Sequence, residues 1–247
     1  MTAPTRLRTA TAVELSEVTK TFRGPVTALD RVSLPVPSGT FRAVMGPSGS
    51  GKSTLLHCAA GLDVPTGGTV HIGGTEISGM RETQRTTLRR ERIGFIFQAY
   101  NLVPSLTVAD NITLPLRLAG AAPDRDWMHT LVEQIGLDGL LGRKPSELSG
   151  GQQQRAAVAR ALIARPDVVF ADEPTGALDL HTAAEVLDLL RRLVDDFGQT
   201  VVMVTHDPAA AARAHDTVVM ADGRIRDVVS RPSAGGLAQL LTSLERR

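Results

Sequence analysis

With one cysteine, Cys58, in 247 residues, the chain cannot form an internal disulfide, which fits a reducing cytosol. Cys58 reads as a small core residue of the helix in which it falls. No stretch approaches the ~20 apolar residues that span a bilayer. Met1 to Thr11 carries Arg6 and Arg8 with no apolar run behind them, so a secretory signal is not expected there. The chain is expected to be soluble by itself, with any membrane role coming through a partner. Charge of one sign is lacking too. The 27 basic and 26 acidic residues leave a net charge of +1, so no global field draws in nucleic acid, and none is expected as a partner. Internal repeats and long low-complexity segments are also missing. What remains is an ordinary globular composition, 42% hydrophobic, long enough for one large domain or two modest ones.

The most informative run present is Gly46-Pro47-Ser48-Gly49-Ser50-Gly51-Lys52-Ser53, followed by Thr54. It fits G-x-x-x-x-G-K-[ST], a loop that wraps a nucleoside triphosphate. Many backbone N–H groups must converge on the phosphates, and side chains would block them. Gly46, Gly49 and Gly51 remove that obstacle and permit positive φ. A helix starting near Lys52 aims its positive end at the phosphates. Lys52 supplies a point charge and Ser53 a hydroxyl for Mg²⁺. Phe41 to Met45 reads as the strand entering the loop, and Ser53 to Ala60 as the helix leaving it.

Short β-like runs flank this loop: Val13-Glu14-Leu15, Val32-Ser33-Leu34 and Thr69 to Ile72. Gly24-Pro25, Pro35-x-Pro37 and Gly73-Gly74 break them, which suggests a small antiparallel sheet. Ile93 to Phe97 reads as a buried strand. Residues 104–165 are mostly helical in pattern. Strands at Val168–Ala171, Thr200–Val204 and Thr217–Met220 then alternate with helices at about 181–196 and from about 208. This is the signature of a mostly parallel sheet covered by helices.

Two further segments carry chemistry. The apolar strand ending in Asp172-Glu173 places two carboxylates where ligands of an α/β sheet bind. Asp172 is placed to hold a Mg²⁺ shell. Glu173 can accept a proton from an attacking water or orient it. Ser149, a good N-cap, precedes Gly150-Gly151-Gln152 and a helix from about Gln152 to Ala164. That is a second anion-binding helix start, without its own lysine. One ATP does not need two cradles in one chain, so a composite site closed by another copy is the economical reading.

Taken in order, Gly46 to Ser53, Gln98, Leu148 to Gln152, Asp172-Glu173, Leu178-Asp179 and His206 resemble the nucleotide-binding subunits of ABC transporters over about residues 13–228. The resemblance implies an α/β fold: a P-loop NTPase (RecA-like) core with a helical subdomain and a small antiparallel β subdomain. It divides the chain into a disordered tail at 1–10, a nucleotide-binding domain at 11–230 with its helical subdomain at about 99–165, and a short amphipathic helix at 231–247. It further implies two copies stacked head to tail around two Mg-ATP. Catalysis then falls to Lys52, Gln98, Glu173 and His206. Nucleotide contacts fall to Phe22 on adenine, to Gly46 through Thr54, and to Ser149, Gly150, Gly151, Gln152 and Asp179 from the partner-facing loops. Metal ligation falls to Ser53, Gln98 and Asp172. Gln98 reaches Mg²⁺ or the attacking water. Gly176-Ala177 stands where many members have Ser-Ala.

The stretch Gln98 to Val108, on to Leu114-Pro115-Leu116, is similar to subunits serving lipoprotein-release, macrolide-export and antimicrobial-peptide-resistance complexes. The implied partner is an integral membrane permease, with this chain peripheral on the cytoplasmic face of the membrane. Export or extraction of a hydrophobic, amphipathic or peptide-like substrate is one reading. Regulation of a mechanotransmission complex without transport is the other. Tyr100, Leu102 and Val103 could form an apolar groove for the permease or pack within the chain. Arg81, Arg85 and Arg89 share a helical face read as solvated. Leu237, Leu240, Leu241 and Leu244 mark one amphipathic helix packed on the core.

Overall fold

A computed structural model describes residues 10–22, 24 and 26–245. The expected disordered tail, apart from Ala10, lies outside them. Six strands form the main sheet: β3 (Phe41–Met45), β6 (Ile93–Phe97), β7 (Val168–Asp172), β8 (Val201–Val204), β9 (Asp216–Ala221) and β10 (Arg224–Ser230). Their order is β10-β9-β3-β8-β7-β6. Neighbours from β9 to β6 run parallel, and β10 returns antiparallel at the edge.

The parallel strands are mostly apolar because both faces of the sheet are covered, and the buried Arg42 in β3 is paired with Asp216 of β9. Along β3, Phe41, Ala43 and Met45 enter one core. That core is shared with α4 (Arg125–Ile135), α5 (Gly150–Leu162) and α6 (Leu180–Phe197). Val44 faces the other core, shared with α1 (Lys52–Ala59) and a second sheet. Phe170 is fully buried there, and burying a side chain of that size contributes about 1.5–3 kcal/mol. Cys58 is buried in the same core, which pushes its thiol up to about 11. It is a packing residue.

The second sheet is antiparallel, ordered β2-β1-β4-β5, from β1 (Thr11–Thr21), β2 (Thr27–Pro37), β4 (Gly67–Ile72) and β5 (Thr75–Glu76). Pro35 and Pro37 do not break a strand as expected. They pair with Glu14 and Thr11 inside β2. As the edge strand, β2 tolerates residues without an N–H. Arg92 ties this sheet to the core. Its Nη1 donates to Thr75 Oγ1 (2.8 Å) and its Nε to Asp167 (2.5 Å).

The helices hold the other corrections. The helix after Ser149 begins at Gly150, not Gln152, so both glycines are helical. The helix expected from 208 is one turn, α7 (Pro208–Ala211). Arg81, Arg85 and Arg89 do lie on a helix, α2 (Glu82–Arg92), whose N-cap is Arg81. Arg81 is exposed, as expected of a solvated face, but the Arg85 and Arg89 side chains are only 12% and 17% exposed and both bind Glu82. Bonds from Arg89 and Arg85 hold the Glu82 carboxyl at about 2, well below the usual range. Between β6 and α5 stands α3 (Val108–Leu118), with Asn111 fully buried and bonded to the Val103 backbone on both sides. The C-terminal helix α8 (Ala234–Glu245) lays Leu237, Leu240, Leu241 and Leu244 against the core.

Candidate functional site

Strand register brings the chemistry-bearing residues together. Val44 pairs with Val204, Asp172 with Val204 and Phe97 with Asp172. The carboxyl ends of β3, β8, β7 and β6 are therefore level. Gly46, His206, Glu173 and Gln98 each follow one of those ends. In a parallel sheet this is where ligands sit.

Between β3 and α1, the glycine loop turns through positive φ at Gly49 (78°) and Gly51 (98°). Gly51 is the N-cap of α1, and a Cβ there would strike the carbonyl oxygen of Ala28. Only glycine fits, and the helix N–H groups stay open to an anion. Lys52 Nζ donates to the carbonyl oxygens of Gly46 and Pro47, each at 2.8 Å. Burial pulls the ammonium below its ordinary value, against the opposing pull of Glu173 and then Asp172. Pro47 is half-buried, Ser50 buried, Ser48 and Ser53 exposed and Thr54 half-buried.

Asp172 is half-buried at the end of β7. Burial raises its carboxyl above the usual range; His57 and Lys52 act in the other direction. Glu173 sits at φ 47°. Its Oε1 accepts from the His206 backbone N–H (3.0 Å) and lies 2.7 Å from His206 Nδ1; its Oε2 accepts from Thr205 Oγ1 (3.2 Å). A carboxylate and an imidazole thus meet at the ends of adjacent strands, an arrangement suited to holding a water and moving its proton. The Glu173–His206 contact and the Thr205 support escaped the sequence reading, because only strand pairing reveals them. Gln98 is exposed, and a Cβ on Gly176 would stand 2.8 Å from its Nε2. The glycine in place of serine therefore makes room for the Gln98 amide.

Ser53, Asp172 and Gln98 offer hydroxyl, carboxylate and amide oxygens, the hard donors that suit Mg²⁺. Among the described residues, no group of three or more His, Cys, Asp or Glu could hold a metal. A Mg²⁺ bound largely by phosphate oxygens does not need one.

Ser149 Oγ accepts from Gln152 N–H (3.3 Å), and Gln152 Oε1 from Ser149 N–H (3.0 Å). This capping box starts α5, and the Gly150 and Gly151 N–H groups have no acceptor within the helix. A Cβ on either glycine would meet side chains of Tyr100, Leu178 or Thr182, none of them in the phosphate loop. Asp179 caps α6 through His181 N–H (3.1 Å) and Thr182 N–H (3.0 Å). Phe22, 46% exposed beyond β1, has Lys20 Nζ 5.2 Å from its ring centroid. Tyr100, Leu102 and Val103 are half-buried, and Leu102 packs on the core. An open groove of about 590 Å³ separates the outer face of the loop, at Pro47 to Ser50, from Arg226 and Leu244. No helix among the described residues is long and apolar enough to cross a membrane.

The chain resembles known proteins over most of its length. It is 42% identical over 226 residues to the macrolide export ATP-binding/permease protein MacB of Rhodospirillum rubrum, covering 91% of this chain but 35% of that protein. The chain thus spans about a third of the length of such relatives. With the lipoprotein-releasing system ATP-binding protein LolD of Anaeromyxobacter dehalogenans, identity is 47% over 86% of this chain and 92% of LolD. Among solved structures, the ATP-binding cassette MJ0796, dimeric in a post-hydrolysis state with ADP and Pi bound, superimposes with a TM-score of 0.78 at 39% identity. The match covers 90% of this chain and 99% of that one. The family model described as ABC transporter matches residues 29–176, which include the phosphate loop, the Ser149 helix start and Asp172-Glu173. The chain belongs to the ABC transporter family.

Proposed function

We propose that the chain is an ATPase that works in head-to-tail pairs and drives a membrane permease. The observation that carries this reading is the separation of two anion-binding helix starts. One, at Gly51-Lys52, carries the lysine. The other, at Ser149, has no lysine of its own, and the side chains that close on its two glycines come from Tyr100, Leu178 and Thr182. A second copy supplies what each lacks.

In this reading the N–H groups from Gly46 to Thr54 cradle the phosphates, and Lys52 neutralises the γ-phosphate side. Ser53, Asp172 and Gln98 hold Mg²⁺, which supplies charge neutralisation at the β- and γ-oxygens. Glu173 takes the proton of the attacking water or orients it. His206, held on Glu173, contacts the γ-phosphate. Phe22 stacks on adenine. From the other copy, Ser149 to Gln152 close over the γ-phosphate, and the Asp179 loop crosses the interface. ATP closes the pair and hydrolysis opens it, with α3 to α5 passing the motion on. The names of the relatives, an export ATP-binding/permease protein and the ATP-binding protein of a releasing system, support work beside a membrane permease; ATP as the fuel then puts the chain on the cytoplasmic face. They also support export or extraction of a hydrophobic, amphipathic or peptide-like substrate.

Phosphate release from Mg-ATP by the purified chain tests the chemistry. Activity should vanish with EDTA and return with added Mg²⁺. Hydrolysis indifferent to EDTA would rule out a metal-holding role for Ser53, Asp172 and Gln98. Isolation of the chain from native membranes should bring a permease with it.

A further inference from the structure

Two polar side chains on α5 point inward and take no part in the chemistry above. Gln154 is fully buried. Its Nε2 donates to the carbonyl oxygens of Phe97 (3.4 Å) and Pro174, the residues beside Gln98 and Glu173. Its Oε1 is one of three buried side-chain atoms without a partner among the described residues. An unpaired buried acceptor is unfavourable, so the fold keeps this amide at a cost to stability.

Further along the helix, Arg160 is half-buried, and burial pulls its guanidinium below the usual value. Among the described residues no carboxylate pairs with it. It donates instead to the carbonyl oxygens of Tyr100 (2.8 Å) and Asn101 (2.5 Å). Those two residues hold left-handed backbones, φ 59° and 50°, a region that Asn adopts readily and that the Cβ of a tyrosine disfavours. The same guanidinium therefore braces an irregular turn just after Gln98. At the start of α5, a Cβ on Gly150 would come within 3.0 Å of the Tyr100 hydroxyl. Gly94 lets the helix lie this close, since a Cβ there would strike the Ala161 carbonyl oxygen. The helix that presents Ser149 outward thus grips residues 97–101 and Pro174 through their main chain.

We propose that Arg160 and Gln154 are positioning residues that transmit the placement of the Ser149 helix start to Gln98 and Glu173 of the same chain. Since that helix start serves the other copy's ATP, closure at one site orders the other. The inference rests on the composite site proposed above.

Hydrogen exchange of the full chain, with and without Mg-ATP, tests it in a Glu173→Gln background that holds the pair closed. In that background, nucleotide should protect both the start of α5 and residues 98–106. Adding Arg160→Met should keep the protection at α5 and lose about tenfold of it at 98–106. Arg160→Lys, which keeps the charge but spans one carbonyl, should fall between, and serves if the methionine variant fails to fold. Gln154→Met should loosen 98–106 in the same sense. With Glu173 intact, Arg160→Met should lower kcat about tenfold and change KM for ATP less than about twofold, a split that general destabilisation would not produce. Equal protection at 98–106 with and without Arg160 would overturn the proposal while the composite site stands. If nucleotide does not protect α5 even in the parent background, the composite site fails and this inference with it.

Discussion

Glu173→Gln is expected to bind Mg-ATP, hydrolyse it about 10²-fold or more slowly, and accumulate as a closed dimer. Glutamine keeps the shape, its one oxygen can still accept from the His206 N–H, and its amide N–H can donate to the Thr205 hydroxyl in place of accepting from it. What it loses is the basicity to take a proton from water. In the proposed cycle, binding closes the pair and only hydrolysis opens it, so removing the base traps the closed state. Size-exclusion chromatography with and without Mg-ATP reads the dimer, and phosphate release reads the rate. A variant that hydrolyses at the parent rate would strip Glu173 of the role.

Lys52→Ala should remove productive ATP binding and lower hydrolysis by at least about 10²-fold, the scale of losing one preorganised charge donor at a phosphoryl site. The loop has no second cation, and Nζ now bridges the Gly46 and Pro47 carbonyls. Alanine leaves those two acceptors facing the phosphate position with no positive charge between them. Equilibrium binding of ATP together with turnover checks this. Turnover within a few-fold of the parent would contradict the assignment.

Much of the fold was legible where one physical signal dominated. The runs 41–45, 93–97, 168–171 and 200–204 read as strands because burial on both faces leaves them mostly apolar, with Arg42 the one charged residue among them. The ends of β2 were not legible. Pro35 and Pro37 look like breakers until one knows that the strand lies at an edge. Nor was β10, Arg224–Ser230, which is largely exposed and is a strand through its pairing with β9. As for α2, it buries only Leu88, and the burial of Arg85 and Arg89 depends on contacts that the sequence does not show. The loop, the strand-end carboxylates and His206 could be found because residue type and position coincide there. Gln154 and Arg160 could not. Their partners are main-chain carbonyls distant in sequence, and a glutamine in a run of three gives no sign that it is buried.

The shared site is tested most directly by complementation. One chain carries Lys52→Ala, the other Ser149→Arg with Gly151→Asp. Each homodimer has two damaged sites. In a mixed dimer, Lys52 of one chain faces Ser149 of the other, so one site carries both lesions and one carries neither. Mixing should restore ATPase activity, up to about half the parent rate per mixed dimer if the sites fire independently. If firing needs both sites, one tightly held ATP per mixed dimer should still appear. Mixed dimers shown to form, with neither activity nor occluded ATP recovered, would contradict the account.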